Sequence, residues 1–343
     1  MSTNLVRVGI IGLGYWGPNY ARLLTGSITG ASLVACADSQ LERTRSLVDQ
    51  YPQVGFYNDH RQLLADGAVD AVIIATPAST HRALVEDCLR AGVGVLVEKP
   101  SASTSADAEA IAQMADEAGL PLMVGHTFMF HPAVQRIKQY LDAGELGQVL
   151  YLYFHRTGLG PIRRDVNALW DLAPHDLAML RYWLESDPVQ VIAGGAAYLM
   201  PGREDVVFVT LRYPNNVLAS IHVSWLDPVK VRRATIVGDK KMAVFDDVHV
   251  TEKLRIYDKG ASYQPAGAEF GEFVTAVRDG DILIPSLPNK EPLREQVQHF
   301  IDCVVTGQRP ICDGWDGLAV VRAVEAADLS LAETRRAHTL APL

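Results

Sequence analysis

The sequence predicts an α/β fold, a doubly wound parallel sheet, followed by an α+β domain with an open, mainly antiparallel sheet. Two observations predict it. Short apolar segments alternate with helical segments through residues 1–125, which is typical of a parallel sheet with helices on both faces. After Val124, segments such as VVFVTLRY and LASIHVSW alternate apolar and polar residues, which is typical of antiparallel strands covered on one face. We therefore expect two domains, residues 1–125 and 126–343, and the C-terminal helices could pack back on the first.

The elements of the first domain follow from apolar runs and the residues that end them. The predicted strands are Leu5–Ile11, Ala31–Ala37, Asp70–Ala75, Val93–Val97 and Pro121–Val124, with a short one near Val54–Tyr57. The predicted helices follow the first strand to about Leu24 and then span Thr80–Ala91 and Ser105–Ala118. Serine and threonine neighbours offer the last helix an N-cap, and Gly119 offers it a stop.

The second domain begins with an amphipathic helix, His131–Ala143. The predicted strands are Val149–His155, Val189–Tyr198, Val206–Tyr213, Val217–Trp225, Ala234–Val237 and Met242–Phe245, with a hairpin turn at Pro214-Asn215-Asn216. Because proline is tolerated in the first turn of a helix, Pro174 predicts that a helix begins in Trp170–Asp176 and runs to about Leu184. The predicted C-terminal helices are Ala266–Arg278, Arg294–Thr306 and Gly317–Thr334, with a proline-rich loop at Pro285–Pro292.

The composition excludes several classes of protein. The chain has 343 residues, 48% hydrophobic and 21% charged, so it is neither disordered nor a small disulfide-stapled scaffold. The formal net charge of -9 argues against a nucleic-acid surface. The four cysteines form no CxxC pair, and we expect no metal site. Because no apolar run reaches about 18 residues and the start lacks a secretory signal, we expect no membrane segment and a cytoplasmic location.

The segment from Gly12 to Gly17 reads GLGYWG, a GxGxxG motif that follows a predicted strand and opens a predicted helix. In this context Gly12 permits the tight turn, Gly14 lets the backbone approach a pyrophosphate, and Gly17 permits close helix–strand packing. Asp38 ends the second strand, where a carboxylate binds the adenosine ribose and repels a 2′-phosphate. The sequence therefore predicts NAD as the cofactor, with NADP less favoured, although the nearby Arg43 complicates this choice.

Polar or glycine residues follow the ends of several predicted strands: Gly12, Asp38, Thr76, Lys99 and His126. Because ligands of open α/β sheets bind beyond the carboxyl ends of the strands, we expect these residues to share one edge. Lys99, in Glu98-Lys99-Pro100, directly follows an apolar strand and suits a cleft. From this tripeptide alone an ordinary exposed loop lysine is an equal interpretation.

Asp171 and His175 lie four residues apart, and at this spacing two side chains share one helix face. A carboxylate beside an imidazole fixes its tautomer and raises its basicity, as general-base catalysis needs. The other interpretation is an N-cap aspartate with a structural histidine. Asp176 is a less direct alternative partner for the imidazole.

Together, the GxGxxG segment, the Glu98-Lys99-Pro100 tripeptide and the Asp171/His175 pair resemble the Gfo/Idh/MocA oxidoreductases, over essentially the whole chain. The resemblance implies a Rossmann domain and the reversible oxidation of a sugar or ring hydroxyl, with hydride passed to nicotinamide. It also implies that Lys99 lies near the reacting hydroxyl, that His175 is the general acid/base, and that Asp171 supports substrate or histidine. We therefore expect Lys99 and His175, from separate domains, to meet at one carbinol.

The expected site is larger than these three catalytic residues. The expected cofactor-binding residues are Gly12, Gly14, Tyr15, Trp16, Gly17, Asp38, Thr76, Pro77, His81, Glu98 and Lys99. The expected substrate-binding residues are Lys99, His126, Phe128, Arg156, Arg163, Arg164, Asn167, Asp171 and His175. Arginine forks suit diphosphate and carboxylate groups, although each arginine could be a solvated surface group. Tyr15 and Trp16 could instead have a core or interface role.

Met129, in GHTFMFHP, stands where many members of the family carry an arginine, so the chain departs from the inositol and glucose–fructose branch. GHTFMFHP and VNALWDLAPHDL resemble the nucleotide-sugar branch, which includes the 3-dehydrogenases of UDP-N-acetylglucosamine and its uronic acid. We expect oxidation of a nucleotide-linked sugar at its 3-hydroxyl. The alternatives are an inositol or free-sugar dehydrogenase, a deoxysugar-nucleotide ketoreductase, and a non-catalytic NAD-binding sensor or scaffold.

The antiparallel sheet needs a cover on its far face. Strands such as VVFVTLRY would otherwise expose a wide apolar surface. We therefore expect a homo-oligomer, a dimer or a tetramer, that buries this face.

Overall fold

The computed structural model describes residues 5–40, 42–43, 48–264 and 274–334. The chain divides into two compact units. Unit 1 comprises Met1–Phe130 and Lys290–Arg322, and unit 2 comprises His131–Asn289 and Ala323–Leu343. The division places the segment Lys290–Arg322, which the sequence assigned to the second domain, with the first unit.

Unit 1 contains a six-stranded parallel sheet with the order β3-β2-β1-β4-β5-β6, which confirms the predicted doubly wound sheet. Its strands are β1 (Val6–Ile11), β2 (Ala31–Ala37), β3 (Gly55–Tyr57), β4 (Ala71–Ile74), β5 (Gly94–Val97) and β6 (Leu122–Val124). Every residue of β4, β5 and β6 is buried, because helices cover both faces of the sheet. The strand order reverses beside β1, and the GxGxxG segment follows that strand, as expected of a nucleotide-binding crevice.

The helices that connect these strands are α1 (Gly17–Gly26), α2 (His60–Ala65), α3 (His81–Arg90) and α4 (Ser105–Ala118). Helix α4 shows why the sequence predicts its bounds so closely. The Thr104 side chain accepts a hydrogen bond of 3.1 Å from the Asp107 N–H group at the start, and Gly119 ends the helix with a φ of 65°.

Unit 2 contains an eight-stranded sheet with the order β14-β13-β12-β11-β7-β10-β9-β8. Its strands are β7 (Val149–Thr157), β8 (Gln190–Ala196), β9 (Val206–Arg212), β10 (Leu218–Ser224), β11 (Val231–Gly238), β12 (Met242–Asp246), β13 (Leu254–Gln264) and β14 (Val274–Leu283). Only β7 and β10 pair in parallel, so the predicted mainly antiparallel sheet is confirmed. Asn215 and Asn216, with φ values of 59° and 61°, form the predicted turn between β9 and β10.

The remaining helices are α5 (Pro132–Asp142), α6 (Ala168–Leu184), α7 (Pro292–Thr306) and α8 (Gly314–Thr334). Helix α6 begins earlier than predicted. The Asn167 side chain accepts a hydrogen bond of 3.1 Å from the Trp170 N–H group and so caps the helix before Ala168. Pro174 therefore lies inside the helix, at the cost of the main-chain hydrogen bond that its missing N–H would donate.

The predicted helix Ala266–Arg278 is wrong where the structure describes it. Residues 274–283 form β14, which pairs antiparallel with β13, while residues 265–273 lie outside the described residues. The pairing with β13 supplies the backbone hydrogen bonds that the local sequence would otherwise place in a helix. Strand β13 was not predicted. Within the described part of the chain, no helix is both long enough and apolar enough to cross a membrane.

Candidate active site

The glycine loop between β1 and α1 has the shape that a dinucleotide pyrophosphate requires. Gly12 has a φ of +96°, and a Cβ atom there would come within 2.6 Å of the Ala75 carbonyl oxygen. A Cβ atom on Gly17 would lie 2.3 Å from the Gly12 carbonyl oxygen. On Gly14, by contrast, the one group it would meet within 4 Å among the described residues is the Arg43 guanidinium, at 3.8 Å. Two glycines are therefore needed to build the turn, and the third leaves the space that a phosphate group would use.

Asp38 closes the glycine loop from the end of β2. Its Oδ2 atom accepts a hydrogen bond of 2.7 Å from the Leu13 N–H group, and its Oδ1 atom accepts one of 2.8 Å from the Gln40 N–H group. The Arg43 guanidinium lies 3.5 Å from the carboxylate. The carboxylate therefore stands where a ribose would bind, but a cation that could attract a 2′-phosphate stands beside it.

Tyr15 and Trp16 lie on the surface of the glycine loop. Their side chains are 84% and 42% exposed, and their rings meet edge to face at 5.4 Å. A role in the core is therefore wrong for both residues, while contact with a cofactor or with another surface stays a prediction.

His81 does not have the predicted cofactor contact. The side chain is fully buried, with Nδ1 at 2.8 Å from the Pro100 carbonyl oxygen and Nε2 at 2.9 Å from the Thr76 carbonyl oxygen. Burial lowers the pKa of His81, and the two carbonyl groups oppose that shift. His81 therefore joins the end of β4 to the loop after β5. Thr76 and the exposed Pro77 stay available to a ligand on the outer side of this junction.

Lys99 directly follows β5 and is partly exposed, whereas its neighbour Glu98 is buried. The Glu98 Oε1 atom accepts a hydrogen bond of 2.7 Å from the Tyr20 hydroxyl group, and Oε2 accepts one of 3.2 Å from the Lys99 N–H group. Both carboxylate oxygens are thus engaged within unit 1. The predicted cofactor contact of Glu98 stays a prediction.

His126 follows β6 and is 1% exposed. Neither of its ring nitrogens has a hydrogen-bond partner among the described residues. Burial lowers the pKa of His126 to about 3, and the nearby Lys99 charge acts in the same direction. A neutral imidazole therefore lies close to Lys99, and it can both donate and accept a hydrogen bond. Phe128, two residues later, is partly buried.

Because the sheet is parallel, the ends of β1, β2, β4, β5 and β6 meet at one edge. The residues that follow them, Gly12, Asp38, Thr76, Lys99 and His126, therefore stand at this edge, as predicted.

Asp171 and His175 lie one turn apart on α6 in unit 2, and both are partly buried. The Asp171 Oδ2 atom accepts a hydrogen bond of 3.2 Å from the Trp225 indole, and the Arg163 guanidinium lies 3.4 Å from Oδ1. Because Asn167 occupies the N-cap, the alternative of an N-cap Asp171 is wrong. The carboxylate is held in place by two groups outside its helix.

Two predicted substrate ligands are engaged inside unit 2. Arg156 is 5% exposed and binds the buried Asp176 through Nε at 3.0 Å and Nη2 at 2.7 Å. Burial raises the pKa of Asp176, and Arg156 opposes that shift. Asn167, besides capping α6, donates to Glu204 and Asp328 at 3.0 and 3.2 Å. Both side chains are therefore engaged by protein groups, and their predicted substrate contacts stay predictions.

Asp176, the alternative partner for the His175 imidazole, forms this buried ion pair with Arg156. Of the predicted arginines, Arg163 is partly exposed beside Asp171 and Arg164 is exposed. Among the described residues, no group of three or more His, Cys, Asp or Glu side chains is arranged to hold a metal ion.

Sequence analysis overlooked Tyr20 and Trp225, which donate to Glu98 and Asp171. A weak signal existed for the first. Tyr20 carries a hydroxyl group on the apolar face of α1 that also contains Ala21 and Leu24, and a buried hydroxyl group requires a partner. Trp225 directly follows β10, and no sequence pattern indicates which way its indole points.

Comparisons with known proteins extend these observations over the whole chain. UDP-N-acetylglucosamine 3-dehydrogenase of Acidithiobacillus ferrooxidans is 30% identical over 324 residues, which cover 93% of this chain and 95% of that protein. A solved structure of UDP-N-acetylglucosamine 3-dehydrogenase GnnA from the same organism has a TM-score of 0.79 at 28% identity, and covers 95% of this chain and 97% of that one. Inositol 2-dehydrogenase 1 of Saccharopolyspora erythraea is 34% identical over 197 residues, 54% of this chain and 56% of that protein.

Both halves of the chain also match family descriptions. Residues 6–126 match the oxidoreductase family with an NAD-binding Rossmann fold, and residues 134–244 match the GFO/IDH/MocA C-terminal domain. The matches agree with the parallel sheet and glycine loop of unit 1 and with the antiparallel sheet of unit 2. The chain therefore belongs to the Gfo/Idh/MocA family of NAD-binding oxidoreductases.

Proposed function

We propose that the chain is an NAD-dependent dehydrogenase that transfers a hydride between nicotinamide and a ring hydroxyl of a nucleotide-linked sugar, with the 3-hydroxyl of a UDP-sugar as the leading candidate. One observation carries the proposal. In unit 1 the glycine loop, Asp38 and Lys99 follow strands of one parallel sheet at the same edge, which supports a dinucleotide site with a lysine beside it. The relationship to UDP-N-acetylglucosamine 3-dehydrogenase, which spans nearly the full length of both chains, supports the substrate class.

The residues of the chain divide the chemistry among them. A nicotinamide, when bound, accepts the hydride. The glycine loop and the N-terminus of α1 offer N–H groups to the pyrophosphate, and Asp38 offers its carboxylate to the ribose. The Lys99 ammonium group polarises the hydroxyl oxygen, where negative charge develops. His175 accepts the hydroxyl proton and returns it in the reverse reaction, supported by Asp171 from one turn earlier on α6.

The proposal also assigns substrate contacts. Arg163 and Arg164, before α6, are the proposed partners of the diphosphate. His126 and Phe128, after β6, are the proposed partners of the sugar. A cytoplasmic location also stays a prediction.

The roles of Lys99 and His175 can be tested by substitution. We expect Lys99→Met and His175→Ala each to lower kcat by roughly 10²–10⁴-fold, because each removes a group that acts on the transferred proton or the charged oxygen. NAD binding, measured by calorimetric titration, should stay unchanged. Lys290→Met, at an exposed lysine of the loop before α7, is the matched control. Full activity in either catalytic variant would remove the role assigned to that residue.

The substrate can be tested with purified protein, NAD or NADP, and a panel of UDP-sugars, TDP-sugars, inositols and free sugars. Formation of reduced nicotinamide identifies the substrate class. Reduction of the product with borodeuteride, followed by mass spectrometry, locates the oxidised carbon by its deuterium. We expect turnover with a UDP-sugar and NAD, and deuterium at C3.

A second candidate is an inositol dehydrogenase, which the 34% identity to inositol 2-dehydrogenase 1 favours. Turnover with inositols alone would select it. A deoxysugar-nucleotide ketoreductase would instead consume reduced nicotinamide with a keto sugar nucleotide. Binding of NAD without turnover of any substrate in either direction would select a non-catalytic sensor or scaffold.

We also propose that a second copy of the chain covers the outer face of the unit 2 sheet. This face carries exposed apolar side chains on four adjacent strands: Tyr151 on β7, Leu218 on β10, Phe208 on β9 and Ile192 on β8. We expect a dimer or tetramer by light scattering at micromolar concentration, and a smaller species for Phe208→Asp. Val305→Asp, at an exposed apolar residue of α7, is the control. A monomeric wild-type protein would contradict the proposal.

A further inference from the structure

Buried polar groups adjoin the strand end that carries Lys99, and the reaction proposed above does not use them. Tyr20 is fully buried on α1, and its hydroxyl group donates a hydrogen bond of 2.7 Å to Glu98. The other oxygen of Glu98 accepts a hydrogen bond from the Lys99 main chain at 3.2 Å. Tyr20, Glu98 and Lys99 thus form a short chain of hydrogen bonds from the phosphate-binding helix to the candidate catalytic lysine.

The neighbouring elements enclose the Tyr20 and Glu98 side chains, which are both buried. A Cβ atom on Gly125 would come within 3.2 Å of Glu98 Cα and 3.3 Å of Glu98 Oε2, so a larger residue would press on the carboxylate. Gln296 of α7 is fully buried close to Tyr20. Glu98 is therefore bordered by Tyr20 of α1 and by Gly125 after β6, while α7 borders Tyr20.

Tyr20, His126 and Cys312 are the titratable side chains beside these hydrogen bonds, and Asp313 and Asp316 act on Cys312. Burial raises the pKa of Tyr20 well above its usual value, and burial likewise raises that of the nearby Cys312. Burial and the Lys99 charge lower the pKa of His126 to about 3. Of these acids, Glu98 is the one whose carboxylate accepts a hydrogen bond from the Lys99 main chain.

Glu98 is subject to opposing effects. Burial raises the pKa of Glu98, whereas the Tyr20 hydrogen bond and the Lys99 charge lower it. A hydrogen bond to an ionised carboxylate is about twice as strong as one between neutral groups, so the Tyr20 hydroxyl favours the charged form. Removal of this single donor would therefore shift the balance toward the protonated acid.

We propose that Tyr20 is a positioning residue for Lys99: it favours the ionised Glu98 carboxylate and directs it at the Lys99 main chain, and so stabilises the charged form of the Lys99 side chain. The inference rests on the proposed function, in which that ammonium group polarises the reacting oxygen. Tyr20 would also connect cofactor binding with catalysis, because α1 begins at the glycine loop and carries Tyr20 one turn later.

The test measures the titration of Lys99 directly and needs no substrate. The whole protein, without cofactor, is labelled by reductive methylation at a series of pH values, and mass spectrometry quantifies the Lys99 peptide. We expect Tyr20→Phe and Glu98→Gln each to lower the midpoint of Lys99 labelling by about one pH unit, because an ammonium ion that loses a negative neighbour is less stable. The double variant should titrate like Glu98→Gln, because the two residues act in series.

Tyr57→Phe is the matched control, since the Tyr57 hydroxyl donates to Asp66 at the same distance of 2.7 Å elsewhere in unit 1. Its Lys99 midpoint should equal that of the wild type. An unchanged midpoint in Tyr20→Phe would overturn the proposal. If that variant does not fold, Glu98→Gln decides instead, and an unchanged midpoint there has the same consequence.

Activity then separates this inference from the proposed function. With a turned-over substrate, the high-pH limb of kcat/KM in Tyr20→Phe should move to lower pH by the same shift as the labelling midpoint. Full activity of Lys99→Met would defeat the proposed function. An inactive Lys99→Met with an unshifted Tyr20→Phe profile would defeat the inference alone.

Discussion

The glycines of the GxGxxG motif differ in how much space their neighbours leave for a side chain. Gly17 is closed in by the carbonyl of Gly12, whereas Gly14 faces open space. The motif spacing predicted these roles because the roles follow from the backbone path. The direction of a side chain, by contrast, does not follow from the backbone path alone.

We predict that Gly17→Ala weakens NAD binding at least tenfold and lowers the melting temperature, since its methyl group would lie 2.3 Å from a main-chain oxygen. Gly26→Ala, at the last residue of the same helix, meets no heavy atom within 4 Å and is the control. That change should leave binding unaltered and stability equal or slightly higher. Calorimetric titration with NAD and thermal unfolding measure both effects. Wild-type affinity in Gly17→Ala would contradict the assignment of this loop.

Glu98, His81 and Arg156 show where residue-level prediction ends. Each stands at the predicted place in the chain, but each turns toward a partner inside the protein: Tyr20, two carbonyl groups and Asp176. The partners lie 20 or more residues away, except for those of His81. No local pattern specifies such contacts, because they depend on how distant elements pack. The strand-end residues were predictable because a parallel sheet brings its strand ends to one edge.

At the scale of elements, helix α6 positions the Asp171/His175 pair and is itself fixed by the buried Arg156–Asp176 ion pair from β7. Its start was mispredicted because the proline rule considers only the backbone, whereas the Asn167 cap and tertiary contacts outweigh one lost hydrogen bond. Strand β14 was mispredicted for a related reason, since it forms by pairing with β13, a strand that the sequence pattern did not predict.

We predict that Arg156→Met lowers the free energy of unfolding by about 3–5 kcal/mol, because it leaves the Asp176 carboxylate buried without its cation. The double variant Arg156→Met, Asp176→Leu should regain more than half of that loss. Urea unfolding followed by tryptophan fluorescence reports it, since three tryptophans lie in unit 2.

Arg181→Met, at an exposed ion pair with Asp187 at the end of the same helix, should cost no more than about 1 kcal/mol. If Arg156→Met and Arg181→Met lowered the free energy of unfolding equally, burial of the Arg156–Asp176 pair would not increase its contribution to stability.

For the whole molecule, buried histidines make stability depend on pH. Burial lowers the pKa of His126 to about 3 and that of His131 to about 4, and it also lowers that of His81. In the unfolded chain a histidine titrates near 6.5. The stability that these neutral side chains contribute is therefore complete above about pH 6.5 and is lost as the pH falls toward their folded-state values.

We predict that His126→Gln reduces the dependence of unfolding free energy on pH between pH 4 and 6 by about 1.4 kcal/mol per pH unit, the effect of one proton. Carboxylates with lowered pKa contribute mainly below this range. Calorimetric unfolding across the series measures the slope. His249→Gln, at a partly exposed histidine, is the control, and parallel curves for wild type and His126→Gln would contradict the prediction.

Unit 1 is assembled from two stretches of chain that are separated by the entire unit 2 sheet, and this has a consequence for biosynthesis. Strands β1–β6 leave the ribosome first, but α7, whose Val297 and Phe300 are buried, begins only at Pro292, long after β6 ends at Val124. Until then the nascent first unit carries a complete glycine loop together with an uncovered apolar surface. The growing chain therefore depends on its own last segments, or on a chaperone, to shield the surface on which the redox site is built.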